Sequence, residues 1–324
     1  MQILYLSRKD VESLGVGMRE VLHTVDRGFR LKGLGKTEMP AKIGIHPIAD
    51  AFIHAMPAYV REVEAAGLKW VSGFPSNVAK GLPYITGLLI MNDPTTGIPQ
   101  AIMDGAWITA MRTGASAGIS AKYLARPESR VAAFCGCGVQ ARTSLIALVE
   151  TLPNLAEVRC YDLFPAATKR FINDMGRAFP QLRFQACDTA TAMIRDAQLV
   201  VTAIPIVTRP QPLLDADMLE EGGLAVSLDY DSAWTSAAMR QCKFCSDDVP
   251  QLLETREHGV YFAGIPEQIH ADLGELAAGL KHGRQTPSER IFSMNMGIAV
   301  DDMVTAQLLF ARAREQNAGT WLPL

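Results

Sequence analysis

The sequence has no long block of one charge and no long apolar run. Lysine and arginine number 31 against 34 aspartate and glutamate, which leaves a net charge of −3. Nucleic acid and anionic membranes are therefore poor candidate partners, because both attract dense basic patches. No apolar stretch approaches the ~20 residues needed to cross a bilayer. The first residues, MQILYLSRKD, lack the pattern of a signal peptide, so we predict a cytoplasmic location.

Cysteine is scarce, with six residues in a chain of 324. Without a secretory signal, this number favours reduced thiols over a disulfide framework. Cys242 and Cys245 form a CxxC motif, but no second Cys or His pair follows at the spacing of a structural zinc site. We therefore predict that the protein holds no metal.

The second half of the chain alternates short apolar strands with helices. Five segments are predicted to be strands: VAAFC, EVRCYD, LRFQAC, QLVVTAIP and GLAVSLD. Helices are predicted between them over Gln140–Leu152 and Pro165–Phe179, with a short helix in LLDADML. Nearly continuous apolar strands with helices between them are typical of a parallel sheet covered on both faces. The pattern predicts an α/β, doubly wound, Rossmann-type domain over residues 116–295.

The first 115 residues have a different pattern. After two helices, predicted over Arg8–Leu14 and Met18–Leu34, several extended segments follow one another, which indicates an antiparallel or mixed sheet. Apolar residues between Pro287 and Gln316 recur at helical spacing. We predict a smaller α+β substrate and dimerisation domain over residues 1–115, completed by a C-terminal helix in residues 296–324.

The segment GCGVQA matches the GxGxxA pattern of dinucleotide-binding loops, and it lies between a predicted strand and a predicted helix. Gly136 permits a tight turn, Gly138 lets the backbone approach a pyrophosphate, and Ala141 lets helix and strand pack closely. The backbone amides of Val139 and Gln140 then face the phosphates at the positive end of the helix.

The next strand ends in Asp162, 24 residues after Gly138, near the spacing of a carboxylate that binds the ribose. An aspartate there repels a 2′-phosphate, and Leu163 and Phe164 offer no cation to bind one, so NAD is favoured over NADP. Thr113 is a further candidate for contact with the cofactor. The alternative is an ordinary glycine turn followed by a solvated aspartate.

Two cationic residues are candidates for holding an anionic substrate. Arg112 lies where we expect a helix to begin near Thr109, so its guanidinium would lie beside the positive end of that helix. Lys69 lies in the predicted strand GLKWVSG, with Gly67 and Gly73 on its face leaving room for a ligand. Each has an ordinary alternative, a surface arginine in an ion pair and a lysine on an exposed strand face.

Four more residues are weaker candidates. Lys42 in MPAKIGIH and His54 in FIHAMP lie on predicted strands, where they are commonly a surface lysine and a core histidine. Asp229 and Asp231 lie at the end of the apolar strand GLAVSLD of the predicted parallel sheet. Because ligands of such sheets bind outside the carboxyl ends of the strands, both carboxylates are predicted to lie near the nicotinamide.

In their order along the chain, these motifs resemble the ornithine cyclodeaminase/mu-crystallin family. The segments that carry the resemblance are MPAY, GLKWVSGFP, DPTTGIPQAIMDG, ITAMRTGASAGISAKYLA, GCGVQA, CYDLFPAATKRF, VVTAIP, GRQTPSERIF and MGIAVDD. The resemblance implies a homodimer paired through the first domain, a Rossmann domain that binds NAD(P)H, and an active site between the domains. It also implies hydride transfer at an alpha carbon that bears nitrogen and a carboxylate.

Residue by residue, the resemblance implies that Lys69 and Arg112 bind the substrate carboxylate. It also implies that Asp231 acts at the substrate nitrogen and that Asp162 binds the ribose. The segment LDYDSAW differs from the glycine-rich version of the family, so Asp229 is a second candidate for the acidic role.

The sequence departs from the family at two positions. Lys42 stands where an arginine is common, so a bidentate clamp becomes a point charge. His54 stands where ornithine cyclodeaminases carry a glutamate, and an imidazole suits a second amine less well than a carboxylate does.

These features lead to three hypotheses. The first is an NAD-dependent oxidoreductase, an imine reductase or amino-acid dehydrogenase, that interconverts a small alpha-amino acid and its alpha-imino acid. The second is a cyclodeaminase that uses NAD catalytically and releases ammonia. The third is a non-catalytic binding protein like mu-crystallin; the presence of Lys69, Arg112 and an acidic partner argues against it.

Overall fold

The computed structural model describes residues 1–258 and 260–324, and the chain divides into two compact units. The first unit consists of residues 1–112 and 298–324, and the second consists of residues 113–297. The boundaries drawn from the sequence fall after residue 115 and before residue 296. The roles given above to the two domains stay predictions.

The first unit contains one mixed sheet, as the succession of extended segments predicts. Its strands are β1 (Gln2–Leu6), β2 (Thr37–Glu38), β3 (Ile43–Ile45), β4 (Phe52–Val60), β5 (Ala65–Gly73), β6 (Ile85–Asn92), β7 (Pro99–Asp104) and β16 (Thr320–Pro323). The spatial order is β16-β1-β7-β6-β5-β4-β2, with β3 also paired to β4. The long antiparallel strands β4, β5 and β6 form the part of the sheet that carries Lys69.

Four α-helices contribute to the first unit. They are α1 (Arg8–Ser13), α2 (Met18–Gly33), the first residues of α3 (Gly105–Leu124) and α10 (Ala299–Gln316). Helix α10 packs against α2, β4 and β5. Gly28 permits the close approach of α2 and α10, because a Cβ at this position would lie 3.2 Å from both Val300 and Val304.

The C-terminal segment differs from its predicted helix. Residues Ile291–Met294 form strand β15 of the second unit, the helix begins only at Ala299, and the chain then enters β16. The four residues of β15 are all buried between β12 and β13. A strand buried on both faces is a continuous apolar run, which periodicity alone does not distinguish from a helix.

The second unit contains the doubly wound parallel sheet, which confirms the predicted fold class. Its strands are β8 (Val131–Cys135), β9 (Glu157–Tyr161), β10 (Arg183–Ala186), β11 (Leu199–Thr202), β12 (Leu224–Ser227), β13 (Lys243–Ser246), β14 (Ala271–Asp272) and β15. Their order is β10-β9-β8-β11-β12-β15-β13-β14, and the pairings are parallel. The chain reverses its direction of winding between β8 and β11, the place where ligands of such sheets bind.

Helices separate most of these strands. They are α4 (Val139–Thr151), α5 (Pro165–Ala178), α6 (Ala190–Ile194), α7 (Ser236–Arg240), α8 (Val249–Glu257) and α9 (Leu273–Ala277). The segment LLDADML forms a 3₁₀ turn over Ala216–Met218 rather than an α-helix. Within residues 1–258 and 260–324, no helix is both long and apolar enough to cross a membrane.

Candidate active site

Lys69 and Arg112 meet at a third residue that the sequence analysis does not predict. The Lys69 Nζ donates a hydrogen bond of 2.7 Å to Oδ1 of Asp302, and the Arg112 Nε lies 2.9 Å from the same oxygen. Lys69 and Asp302 are 0% exposed and Arg112 is 5% exposed. Three buried charges therefore form one cluster in the first unit, carried by β5, α3 and α10.

The register of β5 directs Lys69 to the inner face of the sheet. Lys69 pairs with Met56 of β4 and Leu89 of β6, both buried. Val71 is also buried, whereas the intervening Trp70 is exposed. Alternation along the strand thus places the lysine on the face against which α10 packs, and the ordinary alternative of an exposed lysine is wrong.

Arg112 is not at the start of a helix, which corrects the expectation that the helix begins near Thr109. Helix α3 begins at Gly105, and Oδ1 of Asp104 accepts a hydrogen bond of 2.8 Å from the amide of Trp107. The Asp104 carboxylate thus supplies the cap at the start of the helix. Arg112 lies in the third turn, so its own charge acts without help from the helix dipole.

Burial changes the protonation of Lys69. Removal of the ammonium from water, followed by repulsion from Arg112, lowers the pKa of Lys69 from 10.5 to about 7. Asp302 acts in the opposite direction, through both its charge and its hydrogen bond, and Lys42 adds a smaller repulsion. Lys69 is therefore an amine that gains or loses its proton near neutral pH.

His54 lies on β4 close to Lys42, His46 and Lys69. Its ring stacks on Phe52 at a centroid distance of 4.3 Å and contacts the edge of His46 at 6.0 Å. A Cβ at Gly44 of β3 would lie 2.2 Å from the His54 ring, so a larger residue there would displace the ring. Burial, and then repulsion from Lys42, lowers the pKa of His54 to about 3, so the imidazole is neutral at pH 7.

The two glycines of the GCGVQA loop have different surroundings in the second unit. Gly136 has a φ of +89°, and a Cβ there would lie 2.5 Å from the carbonyl oxygen of Ala203. Gly138 precedes the first residue of α4, and a Cβ there would meet no described atom within 4 Å. Gly136 is thus required by the chain itself, whereas Gly138 leaves open space beside the backbone.

Asp162 lies beside this loop, at the end of β9. Its Oδ2 accepts a hydrogen bond of 2.8 Å from the amide of Cys137, and its Oδ1 accepts one of 2.9 Å from the amide of Phe164. A cavity of about 370 Å³ adjoins the carboxylate and is also lined by Thr168, Lys169 and Asp188. Lys169 thus places a cation on the wall of the same cavity as Asp162.

Thr113 lies in α3, where that helix contacts α4. The adjacent Gly114 packs so closely that a Cβ there would lie 2.5 Å from the backbone of Thr143. The residue next to Thr113 thus packs on α4, the helix that follows the glycine loop.

Asp229 and Asp231 follow β12 and differ in their hydrogen bonding. The buried Asp229 accepts hydrogen bonds from the Thr202 hydroxyl, the Ser227 hydroxyl and the Ile204 amide. Burial raises the pKa of this carboxyl to about 6. These three donors suit a residue that holds the ends of β11 and β12 together.

One carboxylate oxygen of Asp231 makes no hydrogen bond to the described residues. Its Oδ2 accepts a hydrogen bond of 2.9 Å from the amide of Phe262, and Oδ1 has no hydrogen-bond partner in the described part of the chain. Between the two aspartates, Tyr230 has a φ of +59°, a left-handed conformation that turns the backbone sharply. Of the two carboxylates, Asp231 is the one with a buried oxygen that has no partner among the described residues.

Neither the thiols nor the acidic residues form a metal site among the residues described. The six cysteines are free, with Cys242 half-buried and Cys245 buried. Within ranges 1–258 and 260–324, no three His, Cys, Asp or Glu residues are grouped as metal ligands.

The model of the ornithine cyclodeaminase/mu-crystallin family matches residues 2–317, and the chain belongs to this family. An alanine dehydrogenase from Archaeoglobus fulgidus is 34% identical over 99% of this chain and 98% of that protein. A solved structure of Thermococcus litoralis Delta(1)-pyrroline-2-carboxylate reductase with NADH and L-proline has a TM-score of 0.88 and 33% identity, covering 98% of this chain and 99% of that one. An archaeal alanine dehydrogenase dimer with bound NAD has the same TM-score and identity over 100% of both chains.

Proposed function

We propose that this protein is an NAD(H)-dependent oxidoreductase that interconverts a small alpha-amino acid and its alpha-imino acid by hydride transfer at the alpha carbon. The chain is an enzyme of the dehydrogenase and reductase type and uses NAD, as its relatives over nearly the whole length indicate. The observation that carries the substrate class is the buried cluster of Lys69, Arg112 and Asp302, because two cations beside one carboxylate suit an anionic head group.

The residues of the second unit fit a dinucleotide. The backbone at Gly138 is open to the approach of a pyrophosphate, and the amides of Val139 and Gln140 lie at the positive end of α4. Each oxygen of Asp162 accepts one backbone amide and keeps a lone pair for a ribose hydroxyl. Bound NADH supplies the hydride, and NAD accepts it in the reverse direction.

Lys69 and Arg112 hold the substrate carboxylate, and this contact orients the alpha carbon. An arginine fork and a lysine ammonium on one anion restrict both its position and its rotation. Misplacement of reacting atoms by ~1 Å costs ~100-fold in rate, so this restriction contributes directly to catalysis. Lys42 adds positive charge near the same face of the sheet, since it lowers the pKa values of both Lys69 and His54.

Asp231 exchanges the proton of the substrate nitrogen. Its unpartnered Oδ1 is an acceptor for the N–H of an amine or iminium group. Asp229 supports the loops at the ends of β11 and β12, since its oxygens already accept three hydrogen bonds. The earlier hypothesis that Asp229 shares the acidic role is therefore the weaker one.

His54 favours a dehydrogenase or reductase over an ornithine cyclodeaminase. A distal ammonium group of ornithine is held best by a carboxylate, whereas His54 is neutral, brings no negative charge and lies near Lys42 and His46. A substrate with an uncharged side chain encounters no such repulsion.

We further propose that the protein is a homodimer that pairs through the first unit. Ile43, Trp70 and Leu88 lie in one row across β3, β5 and β6, with Ala55 of β4 between the first two, and they are 68%, 44% and 47% exposed. An apolar row of this kind on a sheet surface marks an interaction site. Light scattering of wild type and Trp70→Glu tests this proposal, and a monomeric wild type contradicts it.

The cytoplasmic location stays a prediction.

A screen of NADH consumption tests the reaction. The purified protein is incubated with NADH and either 2-oxo acids plus ammonia or methylamine, or cyclic imines, and separately with NAD and ornithine. We expect NADH oxidation in the first set and no release of ammonia from ornithine. Ammonia release without net change in NADH identifies a cyclodeaminase, and no turnover with either set overturns the proposal.

Two variants link the activity to the cluster. Lys69→Met and Arg112→Met are each expected to lower kcat/KM by about 100-fold or more. The matched control is Glu20→Gln, which removes a different ion pair made to α10, that of Glu20 with Arg312. Unchanged kcat/KM in both cluster variants contradicts the assigned roles.

A further inference from the structure

We propose, building on the function above, that Asp302 is a positioning residue of the carboxylate site. It holds Lys69 and Arg112 together as a cluster with one net positive charge, which is matched by one substrate carboxylate. Asp302 itself touches the two cations and not the reacting atoms, so it acts through Lys69 and Arg112.

The geometry of the cluster supports a shared anchor. A single oxygen, Oδ1, contacts both cations, at 2.7 Å and 2.9 Å. Since the cations come from β5 and α3 and Asp302 comes from the first turns of α10, the carboxylate sets the distance between two groups on separate elements. The Arg112 Nε–H is not aligned for a hydrogen bond to Oδ1. The contact is therefore electrostatic and leaves the guanidinium donors usable by a ligand.

The charge balance points to a ligand rather than to an ion pair that only stabilises the fold. With Lys69 protonated, two buried cations and one buried anion leave an excess charge of +1, which is costly in a low-dielectric interior. Oδ2 of Asp302 is also buried and has no hydrogen-bond partner in residues 1–258 and 260–324. A single bound anion neutralises the excess charge, and a second anion would reverse its sign.

Proton uptake accompanies the binding of this anion. The groups that act on Lys69 are Arg112 from α3, Asp302 from α10 and Lys42 from the segment before β3, and Lys69 in turn acts on His54 of β4. With a pKa of about 7, the Lys69 amine is partly unprotonated at neutral pH. A carboxylate that binds beside it raises this pKa. Above pH 7, therefore, the site takes up a proton when it binds a carboxylate, and affinity falls as the pH rises.

Removal of the Asp302 charge should move this pH dependence. Asp302 is the group in the cluster that raises the pKa of Lys69, so Asp302→Asn lowers that pKa further. We expect the decline in affinity for propionate, measured with NAD present, to begin at least one pH unit lower than in wild type. At pH 8 this shift corresponds to about tenfold weaker binding or more. The loss should shrink as the pH is lowered.

Three comparisons separate this role from a structural one. Asp302→Glu keeps the charge, so the pH midpoint of the decline in propionate affinity should stay near that of wild type. Glu20→Gln should not move this midpoint. A purely structural role for Asp302 would weaken propionate binding equally at every pH. An unchanged midpoint in Asp302→Asn overturns the proposal.

A measurement on the wild-type protein keeps the proposal testable if Asp302→Asn does not fold. Propionate is added to protein and NAD in weak buffer with a pH indicator dye. We expect net proton uptake at pH 8, little at pH 6 and none in Lys69→Met. No uptake by wild type at pH 8 overturns the proposal. Since propionate does not react, the assay gives its answer even if the proposed oxidoreductase activity is absent.

Discussion

Gly136 and Gly138 should respond in opposite ways to the same substitution, although both belong to one glycine motif. Gly136→Ala places a Cβ on a backbone with φ of +89°, which costs ~1–2 kcal/mol, and 2.5 Å from the Ala203 oxygen. Because this oxygen belongs to the backbone after β11, the strands β8 and β11 must shift. We expect a total loss of about 3 kcal/mol, which for a unit of this size lowers Tm by roughly 6–12 °C.

Gly138→Ala should leave the fold nearly unchanged. A Cβ there meets no described atom within 4 Å, and alanine in place of glycine at an N-cap costs about 0.5 kcal/mol. The new methyl group occupies the space proposed for the pyrophosphate, so NADH binding should weaken tenfold or more. Thermal unfolding by circular dichroism and titration of NADH fluorescence measure the two effects. Wild-type NADH affinity in a folded Gly138→Ala protein would refute the assignment of this loop.

Three other substitutions test individual residues. Asp231→Asn should lower kcat by about 100-fold while NADH affinity stays the same, since only the proton transfer is removed; equal kcat contradicts that role. His54→Glu should raise the ratio of kcat/KM for ornithine over a monoamine substrate about tenfold, because a carboxylate replaces a neutral ring; an unchanged ratio places the side chain elsewhere. Asp229→Asn removes a buried carboxyl whose pKa is raised from 3.8 to about 6. The protonated carboxyl therefore favours folding below pH 4, and this contribution to stability is lost as the pH rises through 6. The free energy of unfolding in urea of wild type, relative to that of Asp229→Asn, should therefore fall by on the order of 3 kcal/mol between pH 4 and pH 7. A difference in unfolding free energy that stays constant over this range would show that Asp229 does not titrate as described.

The features that could be predicted from the sequence depend on local patterns. The alternation of apolar strands and helices after Val131 predicts the parallel sheet, and the glycines between VAAFC and the next helix predict the turn at Gly136. Alternation along β5 also places Lys69 on the same face as Val71. In each case neighbours along the chain determine the outcome, through steric limits on the backbone and through the two-residue period of a strand.

The start of α3 and the identity of β15 could not be predicted from local patterns. Asp104 caps α3 from the end of β7, so the helix begins four residues before the expected position. The apolar residues of β15 suit a helix as well as a strand, and only the neighbouring strands β12 and β13 decide between them.

The sequence by itself determined the parallel α/β sheet, the glycine turn and the presence of two isolated cations in apolar segments. Only the tertiary structure decided that Lys69 and Arg112 share one oxygen of Asp302, a residue 233 positions away from Lys69. Packing of α10 against β5 accompanies the burial of Lys69 and Asp302, and removal of the Lys69 ammonium from water brings its pKa near neutrality. Desolvation depends on which surfaces meet in three dimensions, and no pattern of neighbouring residues contains that information.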